Sequence, residues 1–495
     1  MPELLYPKPP SSLETLRPRH LLAYVGPGVI IASVTIGSGE LVWASRSGAT
    51  FGYALLWCFL YGGLFKAIQV YTAGRHITLT GEHPMVTWKK LPGPPLWFPL
   101  LIAVPFVLIM PIGFSGISET LGGYVQRLAG LPMEGTSVGV WAYHEWWENV
   151  WGALLLTGCL ILAMSSSYSL LERVSVVVLL VLVCCVAAAV LVFQPDMTQL
   201  LAGLLVPTVP AYPDWVLKTP EYAEEFSGRS PWLEVSVYLS AVGGGAYDYV
   251  GYVGMLRNKR WGLAGRRIVS RTEMDAAVAA DNEAAVENLK RASTWVRAPL
   301  LDTGLSFFFV ILVTLLFAIL GTLVLHTAGV IPASKDFLSE QERFLTHFHT
   351  ELRWLYRTGV FLAFIGTMYG AFEVLSYTVI ESLRALIPKA VTPERIPYVR
   401  RGVIAYCFLG GMLLLWLPQS IAGNVTDRFT LASLLSGALS CGLWCFAMLW
   451  ADHVRLPKPL RMGLTMKIAV LIAGVSMTVL GAQTLYAYFT GTDNP

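Results

Sequence analysis

Two acidic residues directly follow glycine clusters inside long apolar stretches of the sequence. Residues 37–40 are Gly-Ser-Gly-Glu, and residues 243–248 are Gly-Gly-Gly-Ala-Tyr-Asp. Each glycine weakens a helix by about 1 kcal/mol relative to alanine. An ionised carboxylate at the centre of a membrane is costly unless it is paired or hydrated. We therefore expect two broken helices whose carboxylates, Glu40 and Asp248, need a cation, a proton or a basic partner.

A cation that crosses the membrane is the partner that best fits these two acids. We predict that the carboxylates of Glu40 and Asp248 are metal ligands and that backbone oxygens near Gly37 and Gly243 are further donors. The same two segments would line the substrate pathway through Ser38, Gly39, Gly244, Gly245, Tyr247, Tyr249 and Tyr252, and Thr35 could add a hydroxyl. Two alternatives stay open: the glycines permit close helix packing beside protonated or water-facing acids, and Tyr249 and Tyr252 pack in the core.

Further ionisable residues lie inside or near apolar stretches. We interpret Glu119, Asp302 and Glu373 as candidates for a proton pathway. Lys66 could pair with a carboxylate or extend its ammonium towards the membrane surface. The basic residue nearest to either glycine cluster in the sequence is Arg46, so neither cluster contains a cation of its own.

The composition is that of a membrane protein, which sets the elements that must position these residues. Of the 495 residues, 55% are hydrophobic and 14% are charged, and the net charge of +3 is too small to indicate binding to nucleic acid. A membrane span needs about 20 mostly apolar residues. The sequence predicts eleven spans, near residues 21–45, 51–74, 97–127, 150–168, 174–193, 233–256, 299–325, 355–385, 401–418, 429–451 and 466–490.

Lysine and arginine residues set the expected orientation. Most of them fall in alternate connections, which places the N-terminus in the cytoplasm and the C-terminus outside a cell membrane. Residues 1–20 should form a flexible cytoplasmic tail, followed by one transporter domain over residues 21–490. The long inner connection, residues 257–297, should carry a surface helix from Glu273 to Lys290.

The two glycine clusters lie in spans 1 and 6, which run in opposite directions because they are five spans apart. This spacing is typical of two inverted repeats of five helices, here about residues 21–193 and 233–451, with an extra span at 466–490. In such proteins the substrate site forms where broken helices meet, because irregular backbone at that depth must be buried or line an aqueous cavity.

Motifs of soluble enzymes and a disulfide framework are both absent from the sequence. It has no phosphate-binding loop, zinc-protease helix or nucleophile elbow, so we expect neither an enzyme nor a resident cofactor. All seven cysteines fall in predicted spans. Cys441 and Cys445 share a helix face, where packing is a better interpretation than a soft-metal site.

Several segments resemble the Nramp family of divalent metal transporters. They cover most of the chain and are Gly26-Pro27-Gly28, residues 47–53, residues 71–82, Asp302-Thr303, residues 379–381 and Arg400-Arg401. The resemblance implies an all-helical LeuT-like fold with spans 1 and 6 broken, and a divalent metal ion as substrate.

The chain departs from the family at the expected site. Gly-Ser-Gly-Glu at residues 37–40 replaces the family's Asp-Pro-Gly-Asn, and Gly-Ala-Tyr-Asp at 245–248 replaces Met-Pro-His-Asn. A thioether favours softer metals, so its loss favours a harder ion such as Mg²⁺ or Mn²⁺. We predict alternating-access transport of a divalent cation. The alternatives are a proton- or sodium-coupled transporter of an organic solute and a non-transporting sensor or scaffold; the oligomeric state is not predicted.

Overall fold

The computed structural model is built from helices that follow the apolar stretches of the sequence. It describes residues 4–15, 24, 26–28, 37–130, 135–164, 168–278, 282–332, 338–423, 425, 428–430, 433 and 437–490. Every long regular element within these ranges is a helix. The predicted all-helical membrane architecture is confirmed.

The unbroken spans match the predicted stretches to within a few residues at most ends. Spans 2 to 5 are the helices Leu56–Thr80, Trp97–Leu128, Tyr143–Met164 and Tyr168–Phe193. Spans 7 to 9 are Arg297–Leu320, Leu352–Leu386 and Ile396–Leu415, and span 7 continues as a π-helical turn, Gly321–His326. Spans 10 and 11 contain the helices Ala438–Arg455 and Leu464–Thr490.

Span 6 consists of two helices separated by an irregular turn. Its first half is Pro231–Ala241, and its second half is Ala246–Lys259. Span 1 is described without gaps from Gly37 onwards. It consists there of a π-helix, Ser38–Trp43, that leads into the α-helix Ala44–Phe51. Wide π-helical turns occur frequently at functional sites because they displace side chains from the regular helical register.

Six described helical segments are long and apolar enough to cross a membrane, judged by length and composition alone. They are Trp97–Leu128, Tyr143–Met164, Glu283–His326, Leu352–Leu386, Ile396–Leu415 and Leu464–Thr490. A shorter apolar helix, Val177–Phe193, belongs to span 5. Span 2 is not among the six because Lys66, Gln69 and Arg75 make it more polar. Span 6 is not among them because it is divided into two shorter helices.

Two sequence predictions, about the N-terminal segment and the connection between spans 6 and 7, are wrong. The tail is not free over residues 4–15, because Leu5, Tyr6 and Leu13 are buried and the Tyr6 hydroxyl donates to the carbonyl of Leu79. Instead of one surface helix, the inner connection has two, Arg271–Val278 and Glu283–Trp295. Asn288 joins the second helix to the tail by accepting from the N–H groups of Leu5 and Tyr6.

Candidate functional site at the break in span 6

The break in span 6 depends on two consecutive glycines in the left-handed region. Gly243 and Gly244 have φ angles of +71° and +80°, a conformation that costs a residue with a side chain about 1–2 kcal/mol. A Cβ atom at Gly243 would also lie 2.5 Å from Cε1 of Phe307 in span 7. The glycines are therefore needed both for the turn itself and for the close approach of span 7.

Lys66 of span 2 binds the carbonyls that this turn releases. Its fully buried ammonium donates to the carbonyl oxygens of Ser240, Val242 and Gly244, each at 2.7 Å. These three bonds use all three ammonium donors. Neither glycine cluster contains a cation of its own, as the sequence indicates, but span 2 supplies one to the break in span 6.

The two predicted acidic ligands bind N–H groups of the same turn. The carboxylate of Glu40 accepts from the Gly243 N–H at 3.0 Å, and that of Asp248 accepts from the Gly245 N–H at 2.8 Å. Both side chains are buried, with 0% and 4% of their surface exposed. The turn thus directs carbonyls towards a cation and N–H groups towards two anions.

The tyrosines of span 6 contact the turn from its second half. The Tyr249 hydroxyl donates to the carbonyls of Gly243 and Gly244 at 2.9 and 3.2 Å. The Tyr247 ring stacks on Phe106 of span 3, with ring centroids 5.0 Å apart. A small cavity lies beside this pair, lined by Ile102, Pro105, Phe106, Ile109, Ala246, Tyr247 and Ser440.

Asp302 lies on one side of the break, next to the start of span 1. Its carboxylate accepts from the N–H groups of Gly26 and Gly28 at 2.7 and 3.0 Å, and from the Tyr252 hydroxyl at 3.0 Å. It therefore joins the start of span 1 to spans 6 and 7. Asp302 and Tyr252 act together here as a structural connection, and both are buried.

A second polar group covers the opposite side. The fully buried Arg46 of span 1 donates to the carboxylate of Glu225 at 2.7 Å and to the carbonyl of Pro332 at 2.9 Å. Glu225 lies in the outer loop between spans 5 and 6, on the short helix Pro220–Phe226. Arg46 thus binds the loop between spans 5 and 6.

The other candidates for a proton pathway have basic partners outside the break. Glu119 pairs with Arg428, which also donates to Ser115, and Gln419 approaches Glu119 at 3.4 Å. Glu373 pairs with Arg400 at 2.8 Å. The structure therefore brings Glu40 and Asp248 to one turn but places Glu119 and Glu373 in separate ion pairs.

The first glycine cluster lies against span 8 at Gly37. Gly37 is packed closely against span 8, since an added Cβ would lie 2.4 Å from Oγ1 of Thr367, and its carbonyl accepts from the Leu41 N–H. The side-chain surroundings of Ser38 and Gly39 lie outside the described part of the structure, as does Thr35. No group of three or more His, Cys, Asp or Glu side chains placed to hold a metal occurs among the described residues.

Sequence reasoning missed the role of three residues around the break. Lys66 and Gln69 lie one helical turn apart in span 2 and form a polar face on an otherwise apolar helix. This polar face was the signal in the sequence that span 2 contacts a polar site. The Cys441 thiol of span 10 lies within hydrogen-bonding reach of the Gln69 side chain and the Ala246 backbone. The pairing of Arg428 with Glu119 joins residues 309 positions apart, and no local pattern indicates it.

Comparison with known proteins identifies similar sequences and folds. Residues 28–217 match the family model for Nramp, described as natural resistance-associated macrophage protein-like. The divalent metal cation transporter MntH of Deinococcus radiodurans is 30% identical over 118 residues, which are 23% of this chain. The match spans only about a quarter, 26%, of that relative's length.

Solved structures extend the similarity to the whole fold. A manganese transporter of Eremococcus coleocola aligns with 96% of this chain and 89% of its own, at 14% identity and a TM-score of 0.57. A variant of the same transporter aligns over the same shares with a TM-score of 0.60. The predicted LeuT-like architecture is confirmed, the chain is a multi-pass membrane protein, and residues 28–217 are similar to the Nramp family.

Proposed function

We propose that this protein is a secondary transporter that moves a divalent metal cation by alternating access. The observation that carries the proposal is the convergence of two buried carboxylates, Glu40 and Asp248, on the turn at residues 243–245. Buried carboxylates bind cations strongly because little water competes for them. The names of the similar proteins, a divalent metal cation transporter and a manganese transporter, agree with this class of substrate.

The donor chemistry favours a hard ion. Glu40 and Asp248 supply carboxylate oxygens, and the carbonyls of Gly37 and Gly243 are further donors because each carbonyl oxygen has a second lone pair. Oxygen ligands with retained waters suit Mg²⁺ or Mn²⁺. In this proposal the metal is the substrate and the protein is not an enzyme.

The proposed pathway runs along the break in span 6, between the polar group around Asp302 and the polar group around Arg46. Ser38, Gly39, Gly244, Gly245, Tyr247, Tyr249 and Tyr252 would line it. The Asp302 group would open towards the cytoplasm and the Arg46 group towards the outside, in one domain over residues 21–490 of a cell membrane protein with its N-terminus inside. Glu119, Asp302 and Glu373 remain our candidates for proton transfer.

Uptake into proteoliposomes tests the two carboxylates. Wild type and the double variant Glu40→Gln, Asp248→Asn would be compared with Mg²⁺, Mn²⁺ and Ca²⁺. We expect the double variant to lose uptake, because neutral amides bind a divalent cation far more weakly than carboxylates.

A matched control removes two acids elsewhere. Asp275→Asn with Glu287→Gln changes the same number of charges on the inner connection, where both side chains are exposed. This control should transport like wild type. Undiminished uptake by the Glu40, Asp248 variant would contradict the proposed site.

A transporter of a small organic solute on the same fold is the second candidate. One observation favours it: Lys66 already binds the carbonyls of Ser240, Val242 and Gly244 in the break. A thermal-stability screen of purified protein against divalent metals and amino acids separates the two candidates. Stabilisation by an amino acid and by no metal would support the second.

A further inference from the structure

The three bonds of Lys66 reproduce the coordination of a small cation by backbone oxygens. The ammonium lies near the middle of span 2, is fully buried, and contacts the carbonyls of alternate residues, Ser240, Val242 and Gly244. Broken helices of transporters commonly use such released carbonyls to hold a coupling ion. Here a side chain of the protein occupies that position.

The charges around the ammonium are complementary to it. Glu40 and Asp248 both act electrostatically on Lys66 and are held by N–H groups of the turn that Lys66 binds. Gln69 of span 2 and Cys441 of span 10 are the neutral groups from the adjoining elements. With both acids ionised, the cluster of Glu40, Asp248 and Lys66 keeps one net negative charge.

We propose that Lys66 is a built-in cation that takes the place of a coupling ion at the carbonyls of Ser240, Val242 and Gly244, so that no separate monovalent ion is needed at these three oxygens. The proposal rests on the proposed function only in treating the chain as a transporter, and it does not depend on which substrate is carried. Removing the ammonium should leave three convergent carbonyls beside two acids, which is a site for a monovalent metal ion.

A purely structural lysine would behave differently. If Lys66 only satisfied the carbonyls of the break, its removal would destabilise the protein equally in every salt. A built-in cation predicts instead that a small inorganic ion replaces it, so that stability gains a dependence on the identity of the monovalent cation.

The test measures thermal unfolding of purified full-length protein in detergent, with chloride salts of Na⁺, Li⁺, K⁺ and choline at one ionic strength. Lys66→Ala opens space for an ion, whereas Lys66→Met removes the charge and keeps most of the volume. Gln69→Ala is the matched control, because it creates a cavity one turn further along span 2 and leaves the ammonium in place.

We expect the unfolding temperature of wild type to be the same in all four salts. The unfolding temperature of Gln69→Ala should likewise not depend on the salt. Lys66→Ala should be more stable in Na⁺ or Li⁺ than in choline by about 2 °C or more, saturating with ion concentration. Folding of Lys66→Ala only in Na⁺ or Li⁺ would support the proposal equally. Equal stability of both Lys66 variants in all salts, or failure of both to fold in every salt, would overturn it.

This result is separable from the test of metal transport. The stability assay needs no transport, so an ion-dependent Lys66→Ala variant would support the built-in cation even if no divalent ion is carried. Conversely, loss of uptake in the Glu40, Asp248 variant would support the metal site even if Lys66→Ala shows no ion dependence.

Discussion

Replacing Gly243 by alanine tests whether the break in span 6 has the conformation described. The φ of +71° costs a residue with a side chain about 1–2 kcal/mol. The new Cβ would also lie 2.5 Å from Cε1 of Phe307, and overpacking of a buried contact costs about 1–3 kcal/mol. We therefore expect Gly243→Ala to lower the free energy of unfolding by about 2–5 kcal/mol.

Thermal unfolding in detergent measures this loss, and two further variants assign its cause. Phe307→Leu shortens the ring that the new Cβ meets, so combining it with Gly243→Ala should cost less than the sum of the single changes. Gly304→Ala is the control, because this glycine lies within the helix of span 7 and a Cβ there meets no atom within 4 Å. Wild-type stability of Gly243→Ala would refute the left-handed turn.

Two more changes test an ion pair and a buried histidine. Arg428→Met should destabilise the protein by about 3–5 kcal/mol because it leaves buried Glu119 without its cation. Thermal unfolding of the double variant with Glu119→Gln should show that most of this stability is recovered. No recovery would contradict the pairing. His83, in the loop after span 2, accepts from the Met85 N–H and contacts the Val250 carbonyl, and burial lowers its pKa to about 4. In the unfolded chain the pKa of a histidine is near 6.5, so the unfolded chain binds this proton at a higher pH than the folded protein does. Neutral His83 therefore contributes stability on the order of 3 kcal/mol above pH 6.5, and this contribution is lost as the pH falls towards 4. His83→Gln should unfold with a weaker dependence on pH over this interval, and an unchanged dependence would exclude His83 as its source.

The break in span 6 could be predicted from the sequence because its signal is local. Three consecutive glycines before an acid cannot form a stable helical turn, and the structure places the break at those residues. The lengths of the apolar stretches likewise predicted most spans, since a bilayer sets a minimum length for a helix. Asp248 and Glu40 converge as the two breaks suggested.

The partners of the charged residues could not be predicted, because they depend on contacts between distant parts of the chain. Lys66 is 174 residues from Ser240. The sequence left open pairing with a carboxylate or extension towards the membrane surface, whereas the ammonium donates to three carbonyls of the break. Asp302 caps the start of span 1 across 276 residues. Binding of the N-terminal segment through Asn288 was missed for the same reason.

The position of Lys66 has an electrical consequence. A charge that crosses the full transmembrane voltage changes its energy by about 2.3 kcal/mol per 100 mV. The ammonium is buried near the middle of span 2 and donates to the Gly244 carbonyl in the break of span 6. Any rearrangement of this break that shifts Lys66 along the membrane normal therefore displaces charge even when no substrate is bound. In the alternating-access transport that we propose, the return of the empty carrier would then be electrogenic, and the membrane potential would influence its rate.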